Sequence, residues 1–144
     1  MKQYVVDAFA DRIFEGNPAA VCLPCTWPSD QQMLAIAREN QLPETAFAVH
    51  EGPDWHLRWF APTGEVSLCG HATLAAAYAI CRFAEPESEK LLFQTLSGPL
   101  TVRRQGELFE LDFPVYSLKQ LEVTDQITDA LGARPREVWR ARDL

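Results

Sequence analysis

The chain of 144 residues carries 13 lysines and arginines against 20 aspartates and glutamates, which gives a formal net charge of -7. Because basic residues are outnumbered and form no cluster, the composition disfavours binding to nucleic acid or to an anionic membrane surface. Hydrophobic residues make up 47% of the chain. No apolar run approaches the ~20 residues of a membrane span, so we predict one soluble domain with its own core.

The N-terminal segment reaches the acidic residue Asp7 before a signal-like apolar stretch develops, which predicts a cytoplasmic protein with free thiols. Cys22 and Cys25 have a spacing found in metal and redox motifs. No second cysteine or histidine pair completes a zinc set, however, and Trp27-Pro28 follows where a thioredoxin-type motif would begin a helix. We therefore predict neither a metal site nor a redox role.

Apolar patterning and turn residues define the elements in chain order. Strands are predicted over Tyr4–Phe9 and Ala19–Leu23, and a helix capped by Ser29 or Asp30 runs to about Asn40. Further strands are predicted over Glu44–Val49, Trp55–Phe60, Leu91–Thr95, Leu100–Arg104 and Leu108–Phe113, and a short helix over Thr124–Leu131. The loop Ala61–Gly64 leads to a second helix that is apolar on every side, which indicates burial all round. The last three strands are expected to pair consecutively and antiparallel.

The start of this apolar helix is the main candidate for chemistry. Cys69, Gly70 and His71 lie where backbone N–H groups have no internal partner and the helix dipole favours negative charge. Such an end can hold a carboxylate or an enolate-like oxygen, and it can lower the pKa of a thiol. The alternatives are a histidine that only fixes the loop and a cysteine that is simply a small buried side chain.

Glu44 is the candidate acid–base group. It follows Pro43 at the beginning of a strand, and its apolar neighbours Leu42, Ala46 and Phe47 could desolvate the carboxyl and raise its pKa toward the working pH. Taken alone, a carboxylate at a strand edge is more often a solvated charge.

Three separated motifs carry a family resemblance: Gly16–Val21, Leu42–Phe47 and Phe60–Thr73. With these in order, the chain resembles the phenazine-biosynthesis (PhzF-like) isomerase family over about residues 1 to 115. The resemblance implies an α+β lobe like that of diaminopimelate epimerase and proline racemase: a curved, mostly antiparallel, barrel-like sheet wrapped around a central apolar helix. It also implies an active site between two such lobes, with no metal and no organic cofactor.

The resemblance further implies that Glu44 moves a proton between carbons of a small carboxylate-bearing substrate, with His71 assisting. Substrate binding is assigned to Asn17, to Gly70, and to Ala72 and Thr73 in the first turn of the helix. No nucleic acid or membrane partner is expected.

Two alternatives stay open. In the related epimerases and racemases a catalytic cysteine stands directly before the helix-start glycine, so Cys69 could serve a racemase-type reaction, which needs a second cysteine from the other lobe. The chain could also be a catalytically silent lobe for ligand binding or dimerisation. Family members are about twice this length, so residues 1–144 are interpreted as a single N-terminal-type lobe that forms a homodimer or associates with a missing second lobe.

Overall fold

A computed structural model describes residues 1–115 and 117–141 of the chain. They form two compact units, Met1–Phe113 and Pro114–Leu144. In the part of the chain that is described, no helix has the length and apolar character needed to cross a bilayer.

The first unit contains two helices and eight strands within its described residues. In chain order these are β1 (Lys2–Ala8), β2 (Asn17–Leu23), α1 (Asp30–Asn40), β3 (Glu44–Glu51), β4 (Asp54–Ala61), β5 (Gly64–Val66), α2 (Gly70–Phe83), β6 (Lys90–Gln94), β7 (Leu100–Gln105) and β8 (Leu108–Asp112). The predicted elements are all present. The sequence prediction missed β5. This strand begins at Gly64, the last residue of the predicted loop, continues to Val66 and pairs with β4.

The strands form one mixed sheet in the order β1-β2-β3-β4-β6-β7-β8, with β5 paired to β4. Two neighbouring pairs, β2–β3 and β4–β6, are parallel, and the others are antiparallel. Parallel neighbours need a crossover connection, which α1 supplies for the first pair and α2 for the second. The predicted α+β class and the antiparallel order of the last three strands are therefore confirmed.

The predicted barrel-like closure of the sheet is not confirmed. Both end strands of the sheet, β1 and β8, contact α2. Among the described residues, however, no strand pairing joins β1 to β8, so the sheet is open.

Helices cover both faces of the sheet and create two cores. The larger core places the buried side of α2 against alternate residues of the strands, with Trp59, Leu57 and Phe93 among its largest side chains. The smaller core packs Met33 and Ala37 of α1 against residues of the other face. Trp55 and Trp59 are both in the larger core, as their spacing on β4 predicts.

α2 is less completely buried than the sequence predicts. Most of its residues are buried, but Tyr78 is 42% exposed and Phe83 is 49% exposed. Tyr78 packs edge-on against Phe109 of β8, and Phe83 stacks on Tyr4 of β1. The prediction of burial all round is wrong because the open sheet leaves one side of this helix accessible.

The second unit is small and contains three elements in its described part. β9 (Lys119–Leu121) pairs antiparallel with β10 (Val138–Arg140), and α3 (Asp125–Leu131) lies between them in sequence. The Thr124 side chain caps α3, and Gly132 ends it with a positive φ of 70°. Only α3 was predicted, since three-residue strands have too little pattern to stand out.

Candidate active site

Glu44 begins β3, and its position is set by strand register. The strand runs parallel to β2, so that Ala19 lies beside Glu44. Next to it, the buried Thr45 hydroxyl accepts a hydrogen bond of 3.0 Å from the Asn40 amide at the end of α1. Asn40 in turn accepts one of 2.9 Å from Gln3 of β1. The start of β3 at Glu44 and Thr45 is thus linked to β2 by strand pairing and to α1 by the Asn40 hydrogen bond, and Asn40 is linked in turn to β1.

The start of α2 is held by its own first turn. Cys69 is the N-cap residue with an extended backbone, and its side chain makes no capping hydrogen bond. The Cys69 carbonyl instead accepts hydrogen bonds from the Thr73 amide and, at 2.5 Å, from the Thr73 hydroxyl. In the loop that precedes α2, the Ser67 carbonyl accepts a hydrogen bond of 2.7 Å from the hydroxyl of Ser97, which lies between β6 and β7.

The fold brings together the three side chains that the sequence identified as catalytic candidates. His71 Nε2 lies 3.3 Å from Glu44 Oε2, and His71 Nδ1 lies 3.4 Å from Cys69 Sγ. The imidazole thus stands between a carboxylate and a thiol, with a different ring nitrogen facing each of them. The His71 side chain is 10% exposed and that of Glu44 is 21% exposed.

His71 Nε2 is buried and has no hydrogen-bond partner among the described residues. Its distance to Glu44 is that of an ion pair, but the alignment is not that of a hydrogen bond. Burial lowers the pKa of His71 from 6.5, and the Glu44 charge opposes this only partly. A neutral imidazole therefore presents an unsatisfied polar atom, which costs about 1–3 kcal/mol until a ligand pairs with it.

Cys69 does not have the activated thiol that its position suggested. Burial raises its pKa from 9.0 to about 11, and the nearby Glu44 carboxylate acts in the same direction. The backbone amides of Ala72 and His71 oppose this shift, as expected for a helix N-terminus, but burial outweighs them. The expectation of a lowered thiol pKa is thus wrong for this structure, because the sulfur is also part of the apolar core.

Gly70 lies under an aromatic ring that the sequence gave no reason to place there. A Cβ added to Gly70 would come within 2.8 Å of Cζ of Phe113, just after β8. The glycine is therefore required by a close approach of this ring. The 42% exposed Phe113 is a component of the site that sequence reasoning missed, since no local pattern joins residues so far apart.

The remaining residues assigned to substrate binding have different environments. Asn17 is exposed at the start of β2. It lies two residues before Ala19, the neighbour of Glu44, and so on the same face of the sheet as Glu44. Ala72 and Thr73 are fully buried, and the Thr73 hydroxyl is engaged by the Cys69 carbonyl. Their role in binding stays a prediction.

The site also contains atom types that bind divalent cations such as zinc: a carboxylate oxygen, a thiol sulfur and an imidazole nitrogen. One such atom from each of Glu44, Cys69 and His71 lies within 4.8 Å of the other two. A single ion would require the thiol and the carboxylate to approach the same ring nitrogen. Here they face opposite nitrogens of His71. In this arrangement the thiol and the carboxylate are separate neighbours of the ring and do not surround one ring nitrogen.

Two open cavities of the first unit lie away from the Glu44 group. One cavity of about 360 Å³ lies beside Trp27, Arg58 and Leu96, and another of about 350 Å³ is lined by Pro28 and Ile36 among others. Arg58 in the first cavity is already engaged by Glu65 and Asp30. Neither cavity is lined by Glu44, Cys69 or His71.

Comparison with known proteins identifies the family of the chain. The family model described as phenazine biosynthesis-like protein matches residues 6–135. A protein of Pseudomonas aeruginosa named as an uncharacterized isomerase is 46% identical over 140 residues, which cover 97% of this chain and 54% of that protein. The chain thus spans about half the length of this relative.

Solved structures show the same relationship. A phenazine biosynthesis protein of the PhzF family from Enterococcus faecalis superposes with a TM-score of 0.88 at 44% identity, covering 94% of this chain and 52% of that one. A protein of Pseudomonas aeruginosa described as a predicted epimerase matches at 22% identity with a TM-score of 0.70, covering 92% of this chain and 50% of that one. This second likeness shows that the fold is shared with epimerase-like proteins. With the family model matching most of its length, the chain belongs to the phenazine biosynthesis-like (PhzF-like) family.

Proposed function

We propose that this chain is the N-terminal-type lobe of an isomerase that shifts a proton within a small carboxylate-bearing metabolite without a cofactor. The observation that carries the proposal is the buried His71 Nε2, which lacks a hydrogen-bond partner and lies 3.3 Å from the Glu44 carboxylate. A base and an unsatisfied polar atom side by side are what a proton-transfer site needs.

Each group has a defined task in the proposed reaction. The Glu44 carboxylate removes a proton from a substrate carbon made acidic by adjacent unsaturation, and the electron pair moves into the conjugated system. His71 Nε2–H donates to the substrate oxygen on which negative charge collects. The Glu44 carboxylic acid then returns the proton to another carbon, so that the carboxylate is restored and the substrate is isomerised.

Glu44 is a better candidate for the base than Cys69. The Cys69 side chain is buried and its pKa is raised to about 11, so little thiolate exists at neutral pH. The Glu44 side chain is 21% exposed, so a substrate can reach its carboxyl group.

Deuterium exchange tests the reaction. Candidate unsaturated carboxylates are incubated with the protein in D₂O, and uptake into carbon positions is followed by NMR. We expect Glu44→Gln to slow uptake by about 10²–10⁴-fold, the usual contribution of a general acid–base group. The matched control is Glu107→Gln, which changes an exposed glutamate in the turn between β7 and β8.

Other patterns of exchange would contradict the proposal. Uptake that survives Glu44→Gln but is abolished by Cys69→Ala would indicate the cysteine-dependent racemase reaction. Binding of the carboxylates without any uptake would indicate a silent ligand-binding lobe.

We further propose that the active site is completed by a second lobe, supplied by a second copy or by another segment. The support is that the chain covers only about half of the relatives' length. Sedimentation over a concentration series tests this: a dimer indicates self-association, and a monomer at all concentrations excludes it. The exchange assay is then made on the assembled species.

A further inference from the structure

The protonation of His71 is constrained from both sides of its ring. Nδ1 faces the Cys69 sulfur at 3.4 Å, and Nε2 faces a Glu44 oxygen at 3.3 Å. A neutral imidazole carries one proton, so one nitrogen is a donor and the other an acceptor. Which nitrogen holds the proton decides what His71 can do for a substrate.

The Glu44 side favours a proton on Nε2. An unprotonated Nε2 would bring its partial negative charge to 3.3 Å from a carboxylate oxygen, and two electron-rich atoms repel at this distance. The ring itself is neutral near pH 7, because burial lowers the pKa of His71. With the single proton on Nε2, Nδ1 is left as an acceptor.

The Cys69 side supplies the matching donor. The thiol keeps its proton at neutral pH, because its pKa is raised to about 11. The sulfur lies within hydrogen-bonding distance of Nδ1. The backbone of Cys69 is fixed, since its carbonyl accepts from both the amide and the hydroxyl of Thr73. The thiol is therefore held where its S–H can donate to the ring.

We propose that Cys69 is a positioning residue, whose S–H donates to His71 Nδ1 and keeps the histidine proton on Nε2, directed toward Glu44 and the bound substrate. The use of Nε2–H on a substrate rests on the proposed function, whereas the tautomer itself does not. In this role the sulfur forms no bond to substrate and never needs to be a thiolate.

A competing arrangement has the S–H directed at Glu44, which also faces the thiol. His71 Nδ1–H would then donate to the sulfur, and an unprotonated Nε2 would lie beside the carboxylate. That arrangement replaces an attractive contact at Nε2 with a repulsive one, so the structure favours donation to Nδ1.

Nitrogen-15 NMR of the histidine side chains tests the proposal without any substrate. The chain has only three histidines, and the His71 signals are identified by their loss in His71→Gln. We expect the wild-type protein near pH 7 to show a protonated Nε2 and an unprotonated, hydrogen-bonded Nδ1 at His71. A proton on Nδ1 in the wild-type spectrum would overturn the proposal.

Variants at Cys69 identify the donor. Cys69→Ala should move the Nδ1 resonance to the position of an acceptor without a donor, and Cys69→Ser should return it part of the way, since a hydroxyl also donates. The matched control is Cys81→Ala, which removes another buried thiol of α2 whose sulfur donates to the Ser88 carbonyl. An Nδ1 resonance unchanged in both Cys69 variants would refute the assigned donor.

Exchange kinetics then link the hydrogen bond to function. We expect Cys69→Ala to lower kcat about tenfold with little change in KM, which is the size of one neutral hydrogen bond, and Cys69→Ser to restore part of it. Absence of exchange in the wild type would count against the proposed function but leave the NMR result valid. A wild-type rate in Cys69→Ala would show that the hydrogen bond does not serve the reaction.

Discussion

The two long helices of the first unit begin in opposite ways. α1 starts with a complete capping box, in which the Ser29 hydroxyl accepts from the Gln32 amide and the Gln32 side chain accepts from the Ser29 amide. α2 starts at Cys69 with no capping hydrogen bond and no acidic residue in its first turn. At the start of α1 the Ser29 and Gln32 side chains pair with backbone N–H groups, whereas at the start of α2 the buried Nε2 atom of His71 has no hydrogen-bond partner among the described residues.

The difference shows where the chain favours stability and where it favours function. Capping stabilises a helix by about 0.5–2 kcal/mol, and a side chain that caps also occupies the amides that a ligand would use. The capping box of α1 uses the neutral side chains of Ser29 and Gln32, whereas the start of α2 combines a thiol, an imidazole and a nearby carboxylate. We infer that the start of α1 is structural and that the start of α2 is the reactive one.

Among changes at the two helix starts, the largest expected effect is at His71. We expect His71→Gln to slow deuterium exchange by about 10²–10³-fold, because the donor to the developing negative charge is lost. The control is His56→Gln, which changes a histidine 40% exposed on β4. Equal rates in the two variants would contradict a special role for the start of α2.

A smaller effect is expected from crowding the same helix start. Gly70→Ala places a methyl group against Phe113, which should lower the free energy of unfolding by about 1–3 kcal/mol, as overpacking usually does. Chemical denaturation measures the loss. Because the clash is with the ring, the double variant Gly70→Ala/Phe113→Ala should lose less than the sum of the two single losses, and a strictly additive result would show that the ring is not the cause.

The pH dependence of stability should also distinguish the two helix starts. The pKa of His71 is lower in the folded state than 6.5, so the unfolded chain binds more protons and stability falls as pH decreases below about 6.5. The pKa of Cys69 is higher in the folded state, so stability falls as pH rises from 9.0 to about 11.

Denaturation curves across pH check both directions. His71→Gln should flatten the acid side relative to wild type. Cys69→Ala should flatten part of the alkaline side, where the buried Cys22, with a pKa of about 11, contributes in the same direction. Ser29→Ala should leave the shape of the profile unchanged, and a changed shape would contradict the comparison.

The smallest expected effect is at the start of α1. Ser29→Ala removes the cap and should lower the free energy of unfolding by about 1 kcal/mol, measured by chemical denaturation. The exchange rate should stay at the wild-type value, since the cap is not part of the Glu44 group. A large fall in that rate would show that the two helix starts are coupled.

Much of the fold follows from local patterns. Local patterns predicted a cap at Ser29 or Asp30, the helix that begins after Cys69 and a short helix over Thr124–Leu131, because capping residues and apolar periodicity act over a few neighbouring residues. β5, β9 and β10 were missed, since each has three residues and is defined mainly by its pairing with another strand.

The site was predicted in composition but not in detail. Glu44 and His71 were identified from their motifs, and the fold brings them to 3.3 Å. The sequence left open whether Cys69 is a reactive thiolate or a small buried side chain, because the thiol pKa depends on burial by distant side chains, which raises it here. The ring of Phe113 over Gly70 could not be anticipated, since it depends on how the sheet passes the helix.

The order of elements, the family and the identity of the chemical groups can all be worked out from the chain itself, because each depends on residues close together in sequence. Packing decides the rest: which nitrogen of His71 faces Glu44, how far Cys69 is desolvated, and that one side of α2 stays open. The physical reason is that register and desolvation are set by contacts between strands and helices far apart in the chain, and these form only when the sheet and both helices pack together.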